Sequence, residues 1–291
     1  MKKLYYIAMK ELTKAQQVER SLMKRFRKEI WTKFVLALKR YELVEEGDKI
    51  AVCISGGKDS MLLAKLMQML QRFSETKFEL VYLCMDPGYA PQNRQQIEDN
   101  AKMLEIPITF FETNIFDSVV DIEKSPCYLS ARMRRGHLYS QAQKLGCNKI
   151  ALGHHFSDVI ETTLMGMLYG AQIQAMPPKL VSKNFEGMQL IRSLYCVNED
   201  DILAWKNYNE LKFLQCACRF TENCSKFEDE IAPSARLETK KLIKELKKSI
   251  PEVESHIFKS IHNVQLDTLV GVKYQDEDFD FVTLFNKKTK K

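Results

Sequence analysis

A short glycine turn carrying charged and hydroxyl side chains follows an apolar run at residues 50–54. Its sequence from Ser55 to Ser60 is Ser-Gly-Gly-Lys-Asp-Ser. Two glycines let the backbone approach a phosphate closely, and amides at a helix start point toward an anion. The turn is too short for the glycine–lysine loop of motor and switch NTPases. We therefore predict a phosphate site made by Ser55, Gly56, Gly57, Lys58, Asp59 and Ser60.

Strand-like and helix-like patterns alternate along the chain. Short apolar runs bounded by turn residues predict strands at 50–54, 78–85, 108–111, 149–152 and 188–197. Helical spacing predicts helices at 14–42, 60–70, 91–104, 128–145, 158–169 and 199–208. This alternation predicts an α/β protein with a Rossmann-like parallel sheet and helices on both faces. Ligands bind beyond the carboxyl ends of such strands, where residues 55–60, Asp86 and residues 153–158 fall.

The composition excludes several classes of protein. Hydrophobic residues make up 45% and charged residues 28%, a globular balance that excludes disordered, collagen-like and disulfide-scaffold chains. No run approaches the roughly 20 apolar residues of a membrane span, and the first residues lack the apolar core of a signal peptide. We expect a cytoplasmic protein with no membrane association.

The net charge of +6 is unevenly distributed. Up to Arg40 there are twelve basic and three acidic residues, so this segment carries +9 and the remainder is slightly acidic. A segment this basic suits a polyanion such as RNA, and a solvated helix face is the alternative.

Eight cysteines are present, and in a reducing compartment clustered thiols indicate metal or redox ligands. Cys53, Cys84 and Cys196 lie in apolar runs that predict core positions. The candidates for chemistry are Cys127, Cys216, Cys218 and Cys224.

The loop at 55–60 resembles the PP-loop of the ATP pyrophosphatase superfamily, whose members form AMP and pyrophosphate and activate a carbonyl oxygen as its adenylate. Residues 126–136, Pro-Cys-Tyr-Leu-Ser-Ala-Arg-Met-Arg-Arg-Gly, resemble the Cys-x-x-Cys-x-Arg-x-Arg-Arg-Gly segment of the tRNA 2-thiocytidine synthetases (TtcA). Residues 151–158 are similar to that family's Ala-Leu-Gly-His-His-x-Asp-Asp, and residues 167–170, 176–180 and 257–264 continue the resemblance.

The resemblance implies an ATP-dependent tRNA sulfurtransferase that adenylates O2 of an anticodon-loop cytidine and replaces it by sulfur. It implies a basic helical extension at 1–47, a PP-loop ATP pyrophosphatase domain of the adenine nucleotide alpha hydrolase-like type at 48–235, and a helical cap at 236–291. The implied cofactors are ATP, Mg²⁺ and a 4Fe–4S cluster. The implied partners are tRNA and a sulfur donor such as a cysteine desulfurase, and a homodimer is compatible with the family.

Negative charge builds on phosphate oxygens in the first step, so donors and a metal ion stabilise it most. Lys58 suits the pyrophosphate, and Asp59 or Asp158 suits Mg²⁺. Asp86 either meets the nucleotide or caps a turn with the Pro-Gly that follows it.

Gly153 and His154 are expected to line the nucleotide pocket; adjacent histidines on a strand point to opposite faces and do not share a metal. Arg135, with Arg132 and Arg134, is expected to clamp phosphates of ATP or tRNA, and a solvated basic face is the alternative.

The family's three-cysteine cluster maps onto Cys127, position 130 and the Cys216 region. Ser130 departs from the pattern, because a serine hydroxyl is scarcely deprotonated at neutral pH and is a poor ligand for this iron. Either Cys218 or Cys224 supplies the third thiolate, or the cluster is weakened or absent; our predicted ligands are Cys127, Cys216 and Cys218. Ser157 is a second departure, replacing the first of two aspartates.

Two other functions stay open at this point. One is a PP-loop enzyme that adenylates another RNA base or a small substrate. The other is a paralogue that binds ATP and RNA without cluster-dependent thiolation. The intact loop at 55–60 argues against the paralogue, whereas Ser130 and Ser157 argue for it.

Overall fold

A mostly parallel sheet forms the centre of the chain, which a computed structural model describes over residues 12–113, 126–214, 235–275 and 277–289. The strand order within these ranges is β3-β2-β1-β4-β6-β5, and only β5 runs antiparallel to its neighbour. The strands are β1 (Lys49–Ile54), β2 (Glu79–Asp86), β3 (Ile108–Glu112), β4 (Lys149–Ala151), β5 (Lys179–Val181) and β6 (Gln189–Ile191). The predicted fold class is confirmed.

Helices connect the strands and extend both ends of the described chain. They are α1 (Lys14–Met23), α2 (Thr32–Arg40), α3 (Lys58–Phe73), α4 (Pro91–Met103), α5 (Pro126–Lys144), α6 (Phe156–Gly170), α7 (Glu199–Tyr208), α8 (Ala235–Ser249) and α9 (Val253–Ser260). A hairpin of β7 (Gly271–Tyr274) and β8 (Glu277–Asp280) follows, and then α10 (Phe281–Thr289). Among the described residues, none of these helices has the length and apolarity that a membrane crossing requires.

Three elements differ from the sequence prediction. The helix predicted over 14–42 is interrupted, because a π-helical turn at Arg27–Trp31 separates α1 from α2. The strand predicted over 188–197 ends at Ile191, and the buried apolar residues after it form turns. The edge strand β5 and the β7–β8 hairpin were not predicted, since exposed short strands carry little apolar signal.

Both faces of the sheet are covered, as expected for a parallel sheet. Ile50, Val52 and Ile54 of β1 belong to the core that includes α3 and the N-terminal helices. The intervening Ala51 and Cys53 face a second core formed with α5 and β4. This alternation follows from the two-residue period of a strand and places β1 at the centre of the molecule.

A buried lysine ties the amino ends of β1 and β4 together. The side chain of Lys149 is fully buried, and its Nζ lies 2.7 Å from Asp48 Oδ2 and 3.0 Å from Glu45 Oε2. Asp48 also accepts from Asn148 Nδ2 at 2.7 Å and from the Glu45 amide at 2.6 Å. Because these bonds satisfy both charges, they fix the relative position of the two strands whose opposite ends carry the predicted phosphate loop and histidines.

We expect Asp48→Ala to lower the free energy of unfolding by about 3–5 kcal/mol, because it removes the buried partner of the buried Lys149 charge and leaves only the half-exposed Glu45 carboxylate. Glu45→Ala is the matched control, since it removes the other carboxylate of the same lysine. That carboxylate is 53% exposed, so its loss is expected to cost at most about 1 kcal/mol. Urea denaturation measures both, and equal losses would contradict this assignment.

Candidate active site

The loop between β1 and α3 forms a self-supporting turn at a helix start. Gly56 has φ +81°, and a Cβ there would lie 2.7 Å from Ile97 Cγ1, so both the conformation and the space require glycine. The Ser55 amide donates to Ser60 Oγ at 3.1 Å, and Ser60 Oγ donates to the Gly57 carbonyl at 3.0 Å. Gly57 is the N-cap of α3 and offers no side-chain cap. The first amides of α3 therefore have no capping side chain and suit an anion.

The turn after β4 lies directly against this loop. A Cβ on Gly153 would approach the Asp59 carbonyl carbon and the Ser60 amide nitrogen to 3.1 Å. The contact is with backbone, which cannot move aside as a flexible side chain can. Gly153 therefore allows the two loops to touch and lines the space between them.

A cleft of about 320 Å³ opens where the two loops meet, at the carboxyl ends of β1, β2 and β4. The structure brings together six of the predicted site residues on its walls, and Arg134 enters from α5. These six are Ser55, Asp59, Ser60, Gly153, His154 and Asp158. Cys53 and Met85 contribute sulfur-containing side chains to the same space. The cleft thus combines a phosphate loop with carboxylates and an imidazole.

Two carboxylates and His155 connect α3 with α6. His155 caps α6 through a reciprocal pair in which its amide donates to Asp158 Oδ2 at 3.0 Å and its Nδ1 accepts from the Asp158 amide at 3.4 Å. Its Nε2 lies 3.8 Å from Asp59 Oδ1. Asp59 Oδ1 is buried and has no hydrogen-bond partner in the described structure. Burial raises the pKa of Asp59, and this effect exceeds the opposing effects of His155 and Lys58.

Asp158 has the opposite electrostatic balance. Burial alone would raise its pKa, but His155, its backbone hydrogen bond, His154 and Arg236 hold the pKa below its ordinary value. Arg236 belongs to α8 and donates to Asp158 Oδ1 at 2.7 Å. Asp158 is therefore ionised at neutral pH, and α8 contributes a cation to the site.

Lys58 links the cleft carboxylate Asp59 to α7. Its Nζ lies 3.1 Å from Asp59 Oδ2 and 3.2 Å from Glu199 Oε1. Glu199 also pairs with Lys240 of α8, and its amide donates to Ser157 Oγ at 3.3 Å. Burial alone would lower the pKa of Lys58, but Asp59 and Glu199 raise it above its usual value, so the ammonium stays charged.

Sequence reasoning missed Glu199, Arg236 and Lys240. The acidic first turn of α7 carried a signal, but acids there are explained by the helix dipole alone. Arg236 and Lys240 lie four residues apart on α8, so they share one helix face, but nothing local indicates that this face meets the loop.

Both carboxylate oxygens of Asp86 accept hydrogen bonds from neighbouring residues. Its Oδ1 accepts from the amides of Gly88 and Tyr89 at 2.8 and 2.7 Å, and its Oδ2 accepts from Arg94 at 2.6 Å. Burial opposes ionisation, but these hydrogen bonds hold the pKa of Asp86 below its ordinary value. Of the two roles considered for this residue, the geometry matches the turn cap.

His154 is a neutral imidazole at the wall of the cleft. Burial, followed by the nearby Arg192 charge, lowers its pKa to about 4. Its Nδ1 is buried without a hydrogen-bond partner among the described residues. An unpaired buried nitrogen of this kind costs free energy unless a ligand or a water satisfies it.

The predicted arginines and cysteines are described only in part. Arg134 lines the cleft, whereas Arg135 is exposed on the same helix. Helix α5 includes Cys127, Ser130 and Arg132, but the structure does not describe the side chains of residues 126–132. It also does not describe Cys216, Cys218 or Cys224. The described cysteines are 53, 84, 147 and 196, and burial raises the pKa of each thiol. Within the described ranges, no group of three or more histidine, cysteine or acidic side chains is arranged to hold a metal ion.

Sequence comparison relates the chain to known proteins. The model of the PP-loop domain family (ATP_bind_3) matches residues 16–223. The tRNA-cytidine(32) 2-sulfurtransferase of Syntrophotalea carbinolica is 33% identical over 243 residues, covering 82% of this chain and 90% of that protein. The enzyme of the same name from Cellvibrio japonicus is 33% identical over 272 residues, covering 92% and 84% of the two chains.

A solved structure shares the fold. The U34-tRNA thiolase NcsA from Methanococcus maripaludis, described with its 4Fe-4S cluster, superimposes with a TM-score of 0.65 at 21% identity. The match covers 83% of this chain and 80% of that one. At this identity the likeness establishes the fold alone.

We predict that Glu161 of α6 makes stability depend on pH. Burial, opposed mainly by Arg236, raises its pKa to about 7, so the folded chain favours the neutral acid. This stabilisation is complete below the ordinary pKa of 4.5 and is lost as the pH rises through 7. Glu161→Gln should therefore leave the free energy of unfolding nearly unchanged at pH 5 and raise it by about 1–3 kcal/mol at pH 8.

Urea denaturation at pH 5, 6, 7 and 8 measures this difference. The exposed Glu75→Gln is the matched control and should reproduce the parent's pH dependence. A Glu161→Gln profile parallel to that of the parent would contradict the prediction.

Proposed function

The chain belongs to the PP-loop family and, within it, to the tRNA-cytidine(32) 2-sulfurtransferases, and we propose that it converts cytidine 32 of tRNA to 2-thiocytidine at the expense of ATP. The observation that carries this proposal is the meeting of the 55–60 loop with Gly153, His154 and Asp158 at one edge of the sheet. In the first step, cytidine O2 bonds to the α-phosphorus of ATP as the bond to pyrophosphate breaks. A sulfur nucleophile then bonds to C2, and AMP leaves with the former O2.

The start of α3 would bind the phosphates of ATP. The uncapped amides and Lys58 would bind the triphosphate, with Lys58 exchanging a carboxylate contact for a phosphate oxygen. Preorganised donors of this kind stabilise the charge that develops on the leaving pyrophosphate.

A magnesium ion fits the carboxylates of this cleft. Asp59 Oδ1 is buried and unpaired in the described structure, and Asp158 is held ionised nearby. Mg²⁺ takes one or two carboxylates together with phosphate oxygens and waters, so two protein ligands suffice. When bound, the ion would neutralise charge on the phosphates.

The opposite wall of the cleft would bind the base and ribose of the nucleotide. His154 would supply an uncharged imidazole whose unpaired Nδ1 accepts a hydrogen bond from a base or ribose. Arg134 would face bound ATP within the cleft. The exposed Arg135 would meet a tRNA phosphate, because it lies one residue further along the same helix and outside the cleft.

We propose that Cys127, Cys216 and Cys218 hold a 4Fe–4S cluster. Iron–sulfur ligation needs thiolates, and burial disfavours ionisation of all four described cysteines. This ligand set follows from the resemblance of Cys127 and the Cys216 region to the family's three-cysteine pattern. The amide of Leu214 donates to the Gly56 carbonyl at 3.2 Å. When bound, the cluster would hold the sulfur that replaces O2.

Other implications of the resemblance stay predictions. They are sulfur supply by a cysteine desulfurase, a homodimer, a cytoplasmic location and the boundaries of a domain at 48–235 between two extensions.

We predict that Lys58→Ala abolishes thiolation without unfolding the protein. Losing a lysine at a triphosphate should lower tRNA-dependent AMP formation by about a thousandfold, or about 4 kcal/mol of barrier. Mass spectrometry of tRNA nucleosides from gene-deleted cells complemented with the parent or the variant checks this in vivo. The parent should restore 2-thiocytidine and the variant should not.

Lys102→Ala, on the exposed face of α4, is the matched control and should behave as the parent. Unchanged 2-thiocytidine in the deleted cells would refute the proposed function. Near-normal AMP formation by Lys58→Ala would refute the assigned role of the loop.

We predict that Ser130→Cys increases cluster occupancy, because it restores a thiolate three residues from Cys127. Cys218→Ser should lower iron content in the parent sequence and matter less when position 130 is cysteine. Cluster occupancy is measured by iron and sulfide assays together with electron paramagnetic resonance. The four anaerobically purified proteins are the parent, both single variants and the double variant. Equal, full occupancy in all four would show that neither position is a ligand.

A further inference from the structure

A basic groove lies outside the cleft, between α1 and the carboxyl end of α7. It has a volume of about 580 Å³, and its walls include Lys14, Arg20, Lys24, Arg25, Tyr208 and Glu210. Asn209 Nδ2 donates to Ser21 Oγ at 3.0 Å, and this buried bond joins the two walls. We call this surface the α1–α7 groove.

The cations of the α1–α7 groove are not neutralised by neighbouring acids. Among the described residues, Lys14, Arg20, Lys24 and Arg25 form no ion pair with a carboxylate. Glu19, the acid of α1, is engaged on the other side by Lys65 at 2.8 Å and Arg72 at 2.7 Å. Among the described residues that line the groove, Glu210 is the single acid against four cations. A face used only for solubility usually mixes both signs, so this asymmetry favours a polyanionic ligand.

An aromatic platform stands at the end of the same groove. Tyr208 is 58% exposed, and its ring contacts the buried Phe26 edge-on with centroids 5.6 Å apart. The guanidinium carbon of Arg25 lies 5.2 Å from the Tyr208 centroid. The Arg25 guanidinium lies over this exposed ring. A nucleobase can stack on an aromatic ring or on a guanidinium plane, and stacking of this kind accompanies phosphate contacts in single-stranded RNA binding.

The groove is close to the phosphate loop. Residues 211–214 lead from Glu210 to Leu214, whose amide bonds to the Gly56 carbonyl. Four residues span at most about 14 Å even when fully extended. The groove therefore lies within about 14 Å of the phosphate loop along the chain.

We propose that the α1–α7 groove binds the RNA strand of the substrate, with Lys14, Arg20 and Lys24 on its phosphates and a base stacked on Tyr208. This inference rests on the proposed function and adds to it the surface that holds the substrate. The chemistry that selects RNA over an acidic protein is the combination of uncompensated cations with an exposed, oriented aromatic ring.

The test compares two triple variants of equal charge change. The groove triple removes three of the four groove cations through Lys14→Gln, Arg20→Gln and Lys24→Gln. Arg27→Gln, Lys28→Gln and Lys39→Gln remove three exposed cations of the same basic segment that do not line the groove. Binding of a full-length tRNA transcript is measured by fluorescence anisotropy from 50 to 300 mM salt, with circular dichroism to establish the fold of each protein.

The groove triple should bind tRNA at least tenfold more weakly than the control triple at 150 mM salt. Its slope of log affinity against log salt should be shallower by about 2, since each lost contact with a single strand accounts for about 0.7. Tyr208→Ala should weaken binding with little change of slope, and Tyr208→Phe should restore it because phenylalanine keeps the ring.

The outcomes separate this inference from the proposed function. If the parent thiolates tRNA and the two triples show equal affinity and slope, the groove proposal alone fails. If the groove triple binds tRNA normally and loses thiolation only with a protein sulfur donor, the groove is a protein-docking surface and the proposal is overturned. If the parent neither binds nor thiolates tRNA, the proposed function fails as well.

Discussion

The site depends on one close backbone contact, between Gly153 and the first turn of α3. The strands β1 and β4 are adjacent and parallel, so their carboxyl ends meet at the same sheet edge. Glycine at 153 lets the turn after β4 rest on the backbone of Asp59 and Ser60, because a Cβ there would lie only 3.1 Å from that backbone. The contact brings the N-cap of α6 beside that of α3, and with it His155 and Asp158. The buried Lys149–Asp48 pair secures the same two strands at their other ends.

An ion-pair network then sets the charges around the loop. Lys58 is shared by Asp59 and Glu199, and Glu199 is shared in turn by Lys58 and Lys240. The network neutralises charge in the absence of a ligand and leaves donors that a triphosphate can take over. It also joins α8 to the loop, because Lys240 and Arg236 both reach site carboxylates. Helix α8 thus contributes to the electrostatics of the site.

The sequence indicated the groups that act locally and missed those that arrive through tertiary packing. The loop at 55–60 was predictable because a strand, two glycines and a helix start are contiguous, and their chemistry follows from backbone geometry. Asp86 was ambiguous from the sequence, because the turn amides and Arg94 that occupy its two oxygens come together only in the folded chain. Glu199 and Arg236 lie far from the loop in sequence, and no periodicity indicates their partners. The sequence analysis did not predict the edge strand β5 for a different reason. Two prolines precede this strand, and its apolar side chains are exposed.

Ser157 is built into the same network and is more than a lost carboxylate. Its Oγ accepts the Glu199 amide at the start of α7, a position where a helix has unsatisfied amides. The Glu199 side chain extends from that turn to Lys58. The lysine therefore has two acidic partners, Asp59 and Glu199, although position 157 carries no carboxylate. A carboxylate at 157 would add a fifth acid to Asp59, Asp158, Glu161 and Glu199, of which Glu161 already favours the neutral form. Burial makes each further negative charge harder to hold. The hydroxyl therefore keeps the structural hydrogen bond without adding a charge to this acidic cluster. The departure at 157 is compatible with an ionised Asp158 and a charged Lys58.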